Sequence, residues 1–151
     1  MNSHRAILLV EDNPSDVELT KRALARASIA NALVVAEDGK EALDCLWGEG
    51  NHEGRPLSPP PALILLDIKL PKIDGLEVLR RLRADNRTRR LPVVILTSSR
   101  EEQDIAARYE LEVNSHIRKP VSFEQFAMVV EQLGFYWSIL NEPPLPERVR
   151  T

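Results

Sequence analysis

Three carboxylates, a hydroxyl and a lysine stand at matching places in this chain. Glu11 and Asp12 follow the apolar run "AILLV" (6–10), Asp67 follows "ALILL" (62–66), Thr97 follows "PVVIL" (92–96), and Lys119 with Pro120 closes "EVNSHIRKP" (112–120). Brought to one place, the carboxylates repel one another, and their charged form is costly unless a cation sits among them. Oxygen ligands with open positions suit Mg²⁺, which binds through one or two carboxylates together with waters and a phosphoryl oxygen. A lysine and a hydroxyl beside such a site can hold the remaining phosphoryl oxygens. The chemistry open to this set is phosphoryl transfer onto a carboxylate. Singly, each residue has an ordinary explanation: Asp67 can form a turn, Glu11 and Asp12 can cap a helix, Thr97 can end a strand, and Lys119 can sit in solvent before a proline. Their recurrence after every apolar run but the second, "ALVVA" (32–36), favours the functional reading.

The elements that must position them follow from the same runs. Continuous rather than alternating apolarity marks strands covered on both faces, as in a parallel sheet. Helix-start chemistry separates them. Ser15 with Glu18 makes a capping box behind Pro14, Asp38 with Glu41 opens a second helix, and Asp74 with Glu77 opens a third. A fourth is expected from about Ser99 to Glu110, with Ile105, Ala106 and Tyr109 inward. Ser122 with Gln125 opens the fifth, where Val121 and Phe126 have the spacing of a hydrophobic staple and Gly134 can end the helix. Five strand–helix repeats imply a doubly wound α/β fold with right-handed crossovers, and such sheets gather their chemistry at the carboxyl ends of the strands. The loop "GEGNHEGRPLSPPP" (48–61) reads as a surface excursion.

Composition excludes several classes. With 151 residues, 43% hydrophobic and 28% charged, the chain can bury one core but is short for two domains. A net charge of −3 gives no footprint for nucleic acid or an anionic membrane surface. Cys45 is the single cysteine, so neither an internal disulfide nor a cysteine zinc site is available and a reducing compartment is expected. No apolar run reaches the roughly 18 residues of a membrane span, and the N-terminus has no secretory pattern. The expected location is cytoplasmic.

"LLVEDNPSD", "LILLDIKLPKIDG", "VVILTSS" and "HIRKP" resemble, in order and spacing, the signature blocks of the receiver domains of two-component response regulators. The resemblance covers about residues 5–134. It implies a flavodoxin-like, five-stranded parallel sheet of order 2-1-3-4-5, with a receiver domain over 1–134 and a C-terminal extension over 135–151. It implies Asp67 as the phosphoacceptor, Glu11 and Asp12 as the acidic pair holding Mg²⁺ with Asp67, and the backbone carbonyl of Lys69 as a further ligand. Thr97 and Ser98 match the switch hydroxyl and its neighbour in the phosphoryl pocket, Lys119 the phosphoryl-pairing lysine, and Pro120 the proline after a cis peptide bond that aims the lysine inward. The partner implied is a sensor histidine kinase, and the resemblance implies a phosphoacceptor that assists its own phosphotransfer and dephosphorylation rather than an enzyme in its own right.

Three residues before the lysine, where many receivers carry a switching aromatic, stands His116; its imidazole either fills that space or points outward. Beyond the fifth helix, Phe135, Tyr136, Trp137, Ile139 and Leu140 either cover the chain's own core or, with Tyr109, mark an interface. The long loop, the "EVNSHIRKP" block and an aromatic tail ending in "LNEPP" resemble the stand-alone regulators paired with bacterial phytochrome kinases. That resemblance implies a homodimer through helix four, strand five, helix five and the tail. Two other functions compete: a receiver-shaped interaction module that takes no phosphate, and a phosphohydrolase with an aspartyl intermediate. The hydrolase would need a second acid two residues after Asp67, where Lys69 stands.

Overall fold

Runs of Ile, Leu and Val four or five residues long, each followed by a turn and a capped helix, order the chain as ten alternating elements. The computed structural model describes residues 5–27, 29, 31–50, 57, 60–108 and 112–133. They comprise β1 (Ile7–Val10), α1 (Pro14–Arg26), β2 (Leu33–Ala36), α2 (Gly39–Trp47), β3 (Leu63–Asp67), α3 (Gly75–Ala84), β4 (Val93–Thr97), α4 (Arg100–Arg108), β5 (Ser115–Arg118) and α5 (Phe123–Leu133). All neighbouring strands pair in parallel, in the order β2-β1-β3-β4-β5. The expected flavodoxin-like sheet is present. Its order reverses between β1 and β3, which opens a crevice at their carboxyl ends.

Alternation along the strands divides the core in two. Leu8, Val10, Ile64, Leu66, Val93 and Ile95 pack with α2 and α3 side chains such as Leu43, Val78, Leu79 and Leu82. Ile7, Leu9, Leu63, Leu65, Val94 and Leu96 pack on the opposite face with Leu24, Val121, Phe126 and Val129. Both faces being covered explains why these strands are apolar throughout. Cys45 is buried in α2, and burial raises its thiol pKa, as suits a core residue.

Asp38 and Asp74 cap α2 and α3 by accepting from the Glu41 and Glu77 amides at 2.7 and 3.0 Å. Ser122 accepts from the Gln125 amide at 3.2 Å, with Val121 and Phe126 buried in one cluster beside it. The start of α1 differs from the sequence expectation. Asn13, not Ser15, is the cap, accepting from the amides of Ser15 and Asp16 at 2.8 and 3.2 Å. Pro14 decides this: it has no N–H to satisfy and its fixed φ suits the first helical position, so the cap falls one residue before it. Asn13→Ala should therefore cost about 1 kcal/mol in urea unfolding, and Ser15→Ala much less.

Strand ends also move. Asp67 and Thr97 are the last residues of their strands, paired with Leu96 and Arg118. β5 starts only at Ser115, because the Asn114 side chain accepts from the Val93 amide at 2.8 Å and closes the ladder there. In α4, Ala106 is buried as expected, but Ile105 is 40% exposed and Glu102 is buried. Tyr109 and the aromatic tail, Phe135, Tyr136, Trp137, Ile139 and Leu140, lie outside the described residues, as do Gly134 and most of the 48–61 loop.

Candidate functional site

Val10 of β1 is paired with Leu66 of β3, so the next residues of each, Glu11 and Asp67, come side by side at the crevice. Glu11 is 1% and Asp67 2% exposed, while Asp12 faces solvent. Each of the three offers a carboxylate oxygen, and these oxygens lie within 4.8 Å of one another. Such a set of hard oxygen donors, two inside and one at the rim, fits a divalent cation with water-filled positions.

The balancing charge is Lys119, one residue beyond β5. Its amide donates to the Thr97 carbonyl at 2.7 Å, and its peptide bond to Pro120 is cis. Its Nζ lies 2.8 Å from Asp67 Oδ2 and 3.3 and 3.4 Å from the two oxygens of Glu11. A fourth carboxylate, Asp16, reaches the same ammonium at 3.2 Å. Sequence reasoning passed over Asp16, since an acid in the first turn of a helix is ordinary. The available signal was topological: α1 starts directly behind the acidic pair, so its first turn borders the same rim.

The carboxylates do not share the strain equally. Burial, then the charge of Asp67, pushes the Glu11 carboxyl up to about 7 even with Lys119 beside it. Burial by itself pulls Lys119 down, but the hydrogen bond and charge of Asp67 and the charge of Glu11 more than offset it, holding the ammonium above its ordinary value. Lys119 therefore stays charged, and Glu11 takes up a proton more readily than an ordinary carboxyl despite the ammonium beside it.

Two loops frame this centre. After β3, the Lys69 amide donates to Asp67 Oδ1 at 3.0 Å, which leaves Oδ2 to Lys119. The chain then returns so closely, with the Gly75 amide on the Ile68 carbonyl at 2.9 Å, that a Cβ on Gly75 would overlap the Asp67 carbonyl oxygen. After β4, Thr97 is fully buried and its Oγ1 has no hydrogen-bond partner among the described residues, while the Ser98 amide donates to Glu102 at 2.7 Å. A buried hydroxyl without a protein partner is free to donate to an acceptor brought into the crevice. Between the loops runs a groove of about 590 Å³ lined by Asp12, Lys69, Leu70, Asp74, Glu102 and Ile105.

The structure thus gathers Glu11, Asp12, Asp67 and Lys119, with Lys69 and Thr97 on the loops and strand ends around them. His116 is half-buried and pairs with Ile95, which packs on the α2–α3 side of the sheet, and burial lowers its pKa.

Residues 7–131 match the family model of the response regulator receiver domain. The chain belongs to this family. Among solved receivers, the bacteriophytochrome response regulator AtBRR is 54% identical, with a TM-score of 0.83 over 93% of this chain and 99% of that one. The Mn(2+)-bound form of response regulator Rcp1 is 39% identical, with a TM-score of 0.71 over 94% of this receiver and 99% of that chain. The probable methanogenesis regulatory protein FilR2 of Methanothrix harundinacea is 42% identical over 140 residues, 93% of this receiver and 88% of that protein. A divalent cation in Rcp1 agrees with the oxygen-donor chemistry of the present receiver's crevice.

Proposed function

We propose that this receiver is a single-domain response regulator that takes a phosphoryl group from a sensor histidine kinase of the phytochrome type onto Asp67. The observation that carries the reading is the pairing of Asp67 with Lys119 at 2.8 Å inside a cluster of three carboxylates, beside the unpartnered Thr97 hydroxyl. A Mg²⁺ ion held by Glu11, Asp12, Asp67 and the Lys69 carbonyl would neutralise charge on the transferring phosphoryl group. Asp67 attacks the phosphorus of phosphohistidine in line and the imidazole leaves. Lys119 turns from the bare carboxylate to the phosphoryl oxygens, and Thr97 and Ser98 donate to another. The product adds up to about two negative charges at one strand end. Thr97, drawn toward them, links the site to the face of α4, β5 and α5, where His116 is the switch position.

The histidine kinase partner follows from the family, and a bacteriophytochrome is its proposed type because AtBRR is a bacteriophytochrome response regulator. The output is proposed to be a homodimer contact made by that face with Tyr109 and the apolar tail, 135–140. No nucleic acid or membrane contact is invoked, in keeping with the net charge of −3. No helix among the described residues is long and apolar enough to cross a membrane, and a cytoplasmic location suits a kinase partner.

The test uses beryllofluoride, which mimics an acyl phosphate on a carboxylate. With Mg²⁺ it should raise the melting temperature of the wild-type protein or change the fluorescence of Trp47 and Trp137; silence in both readouts would refute the phosphoacceptor reading. Sedimentation of a chain ending at Gly134 addresses the tail. Loss of the dimer supports its role, and an unchanged mass removes it from the interface.

A further inference from the structure

α4 contains a buried acid that the phosphoacceptor reading does not use. Glu102 sits where the helix should present an apolar residue to the core, one turn before buried Ala106. Its Oε1 accepts from the Ser98 amide at 2.7 Å, and its Oε2 lies 3.5 Å from Lys69 Nζ. Its own amide donates to Ser99 Oγ at 3.2 Å. One carboxylate therefore ties the loop after β4 to the loop after β3.

Helix capping does not account for this arrangement. A capping-box glutamate three residues into a helix returns to the amide of the cap residue. The cap here is Ser99, yet Glu102 binds the amide of Ser98, one residue further out, and gives its other oxygen to a different loop. Both partners flank Asp67: the Lys69 amide already bonds Asp67 Oδ1, and Ser98 follows Thr97, whose hydroxyl lacks a partner. Glu102 also lines the groove shared by Asp12 and Lys69.

We propose that Glu102 is a positioning residue that occupies the Ser98 amide and the Lys69 ammonium in the unphosphorylated receiver, so that a phosphoryl group on Asp67 must displace a carboxylate to gain them. The inference rests on Asp67 being the acceptor. It assigns Glu102 control over how tightly the phosphoryl group is held and how long it lasts. Charge and donor supply act in one direction: the carboxylate repels an incoming dianion and withholds its donors. The Lys69 pair is exposed on its lysine side and adds little by itself, so the Ser98 bond carries most of the effect.

Titration calorimetry of beryllofluoride in excess Mg²⁺ is the test, on wild type, Glu102→Ala and Glu102→Gln. Freeing the Ser98 amide from a charged acceptor should tighten binding in Glu102→Ala about tenfold. The acyl phosphate formed from acetyl phosphate should outlast that of wild type. Glu102→Gln keeps an oxygen for Ser98 and should stay within about twofold of wild type. A merely structural role would lower the melting temperature and leave affinity and lifetime alone. Equal affinity in wild type and Glu102→Ala, or equal tightening in both variants, would overturn the proposal. Absence of binding in wild type would instead overturn the acceptor assignment beneath it. The unaltered protein gives a second readout that needs no variant: the Ser98 amide resonance should shift on adding beryllofluoride, and a stationary resonance counts against the displacement.

Discussion

Asp67→Asn should abolish acyl phosphate formation while leaving the fold in place. The substitution is nearly isosteric, and the single asparagine oxygen can keep one of the two bonds that Asp67 accepts, from the Lys69 amide on Oδ1 at 3.0 Å or from Lys119 on Oδ2 at 2.8 Å. What disappears is the nucleophilic anion. An amide cannot attack phosphohistidine or acetyl phosphate to leave a mixed anhydride, so the loss is complete rather than graded. Stability should change by no more than about 1 kcal/mol, because the bond given up is offset by relief of Glu11, whose pKa is raised partly by the charge of Asp67, and Lys119 keeps Glu11 and Asp16. Intact mass after incubation with acetyl phosphate and Mg²⁺ reads the first effect, and urea unfolding reads the second. A phosphorylated Asp67→Asn chain would mean that another group, such as the exposed Asp12, accepts the phosphate, and the assignment would fail. An unfolded variant would instead say that Asp67 holds the crevice together, which its nearly isosteric replacement does not predict.

The sequence made the acceptor legible because strand-end residues are local: period, burial and the identity of the next residue place Asp67, Thr97 and Lys119 without reference to distant partners. Four of the five helix starts are set by equally local chemistry, the Asp38, Asp74, Ser99 and Ser122 caps, whereas the strand order is a long-range property that only the resemblance to receivers implied. The α1 start failed locally too, since Asn13 and Ser15 both suit a cap and only the position of Pro14 separates them. Asp16 and Glu102 were illegible for another reason. Each looks like an ordinary first-turn acid, and its meaning lies in a partner that only the sheet brings near, Lys119 for one and Lys69 for the other. Ile105 is the counterpart of Glu102: apolarity suggested an inner position, and the buried carboxylate turned the helix so that Ile105 borders the groove.

Lys119→Met should be the most destabilising change at the site, and the deficit should shrink when Mg²⁺ is added. The ammonium is the cation that three carboxylates share, and its side chain is only 13% exposed. Removing one partner of a buried ion pair costs about 3–5 kcal/mol, because the other charge stays behind without compensation. Here the remaining charges can escape in two ways. Glu11 is already held near 7, and losing Lys119 removes an interaction that lowers it, so the variant protonates Glu11 still more readily. Its folded pKa lies above the unfolded 4.5, so this contribution favours the folded state below about 4.5 and is lost as pH rises through the folded value. The Lys119→Met deficit should therefore be larger at pH 8 than at pH 5.5, at about 3 kcal/mol in urea with chelator present. The second escape is a bound cation, which stabilises the folded state by mass action, so millimolar Mg²⁺ should recover much of the loss at pH 8. A deficit below about 1 kcal/mol in chelator would mean that the carboxylates do not depend on Lys119 for their balance. A deficit indifferent to Mg²⁺ would mean that they do not form a cation site. Recovery of stability without recovery of acyl phosphate lifetime would separate the two roles of Lys119, balancing the carboxylates and holding the phosphoryl oxygens.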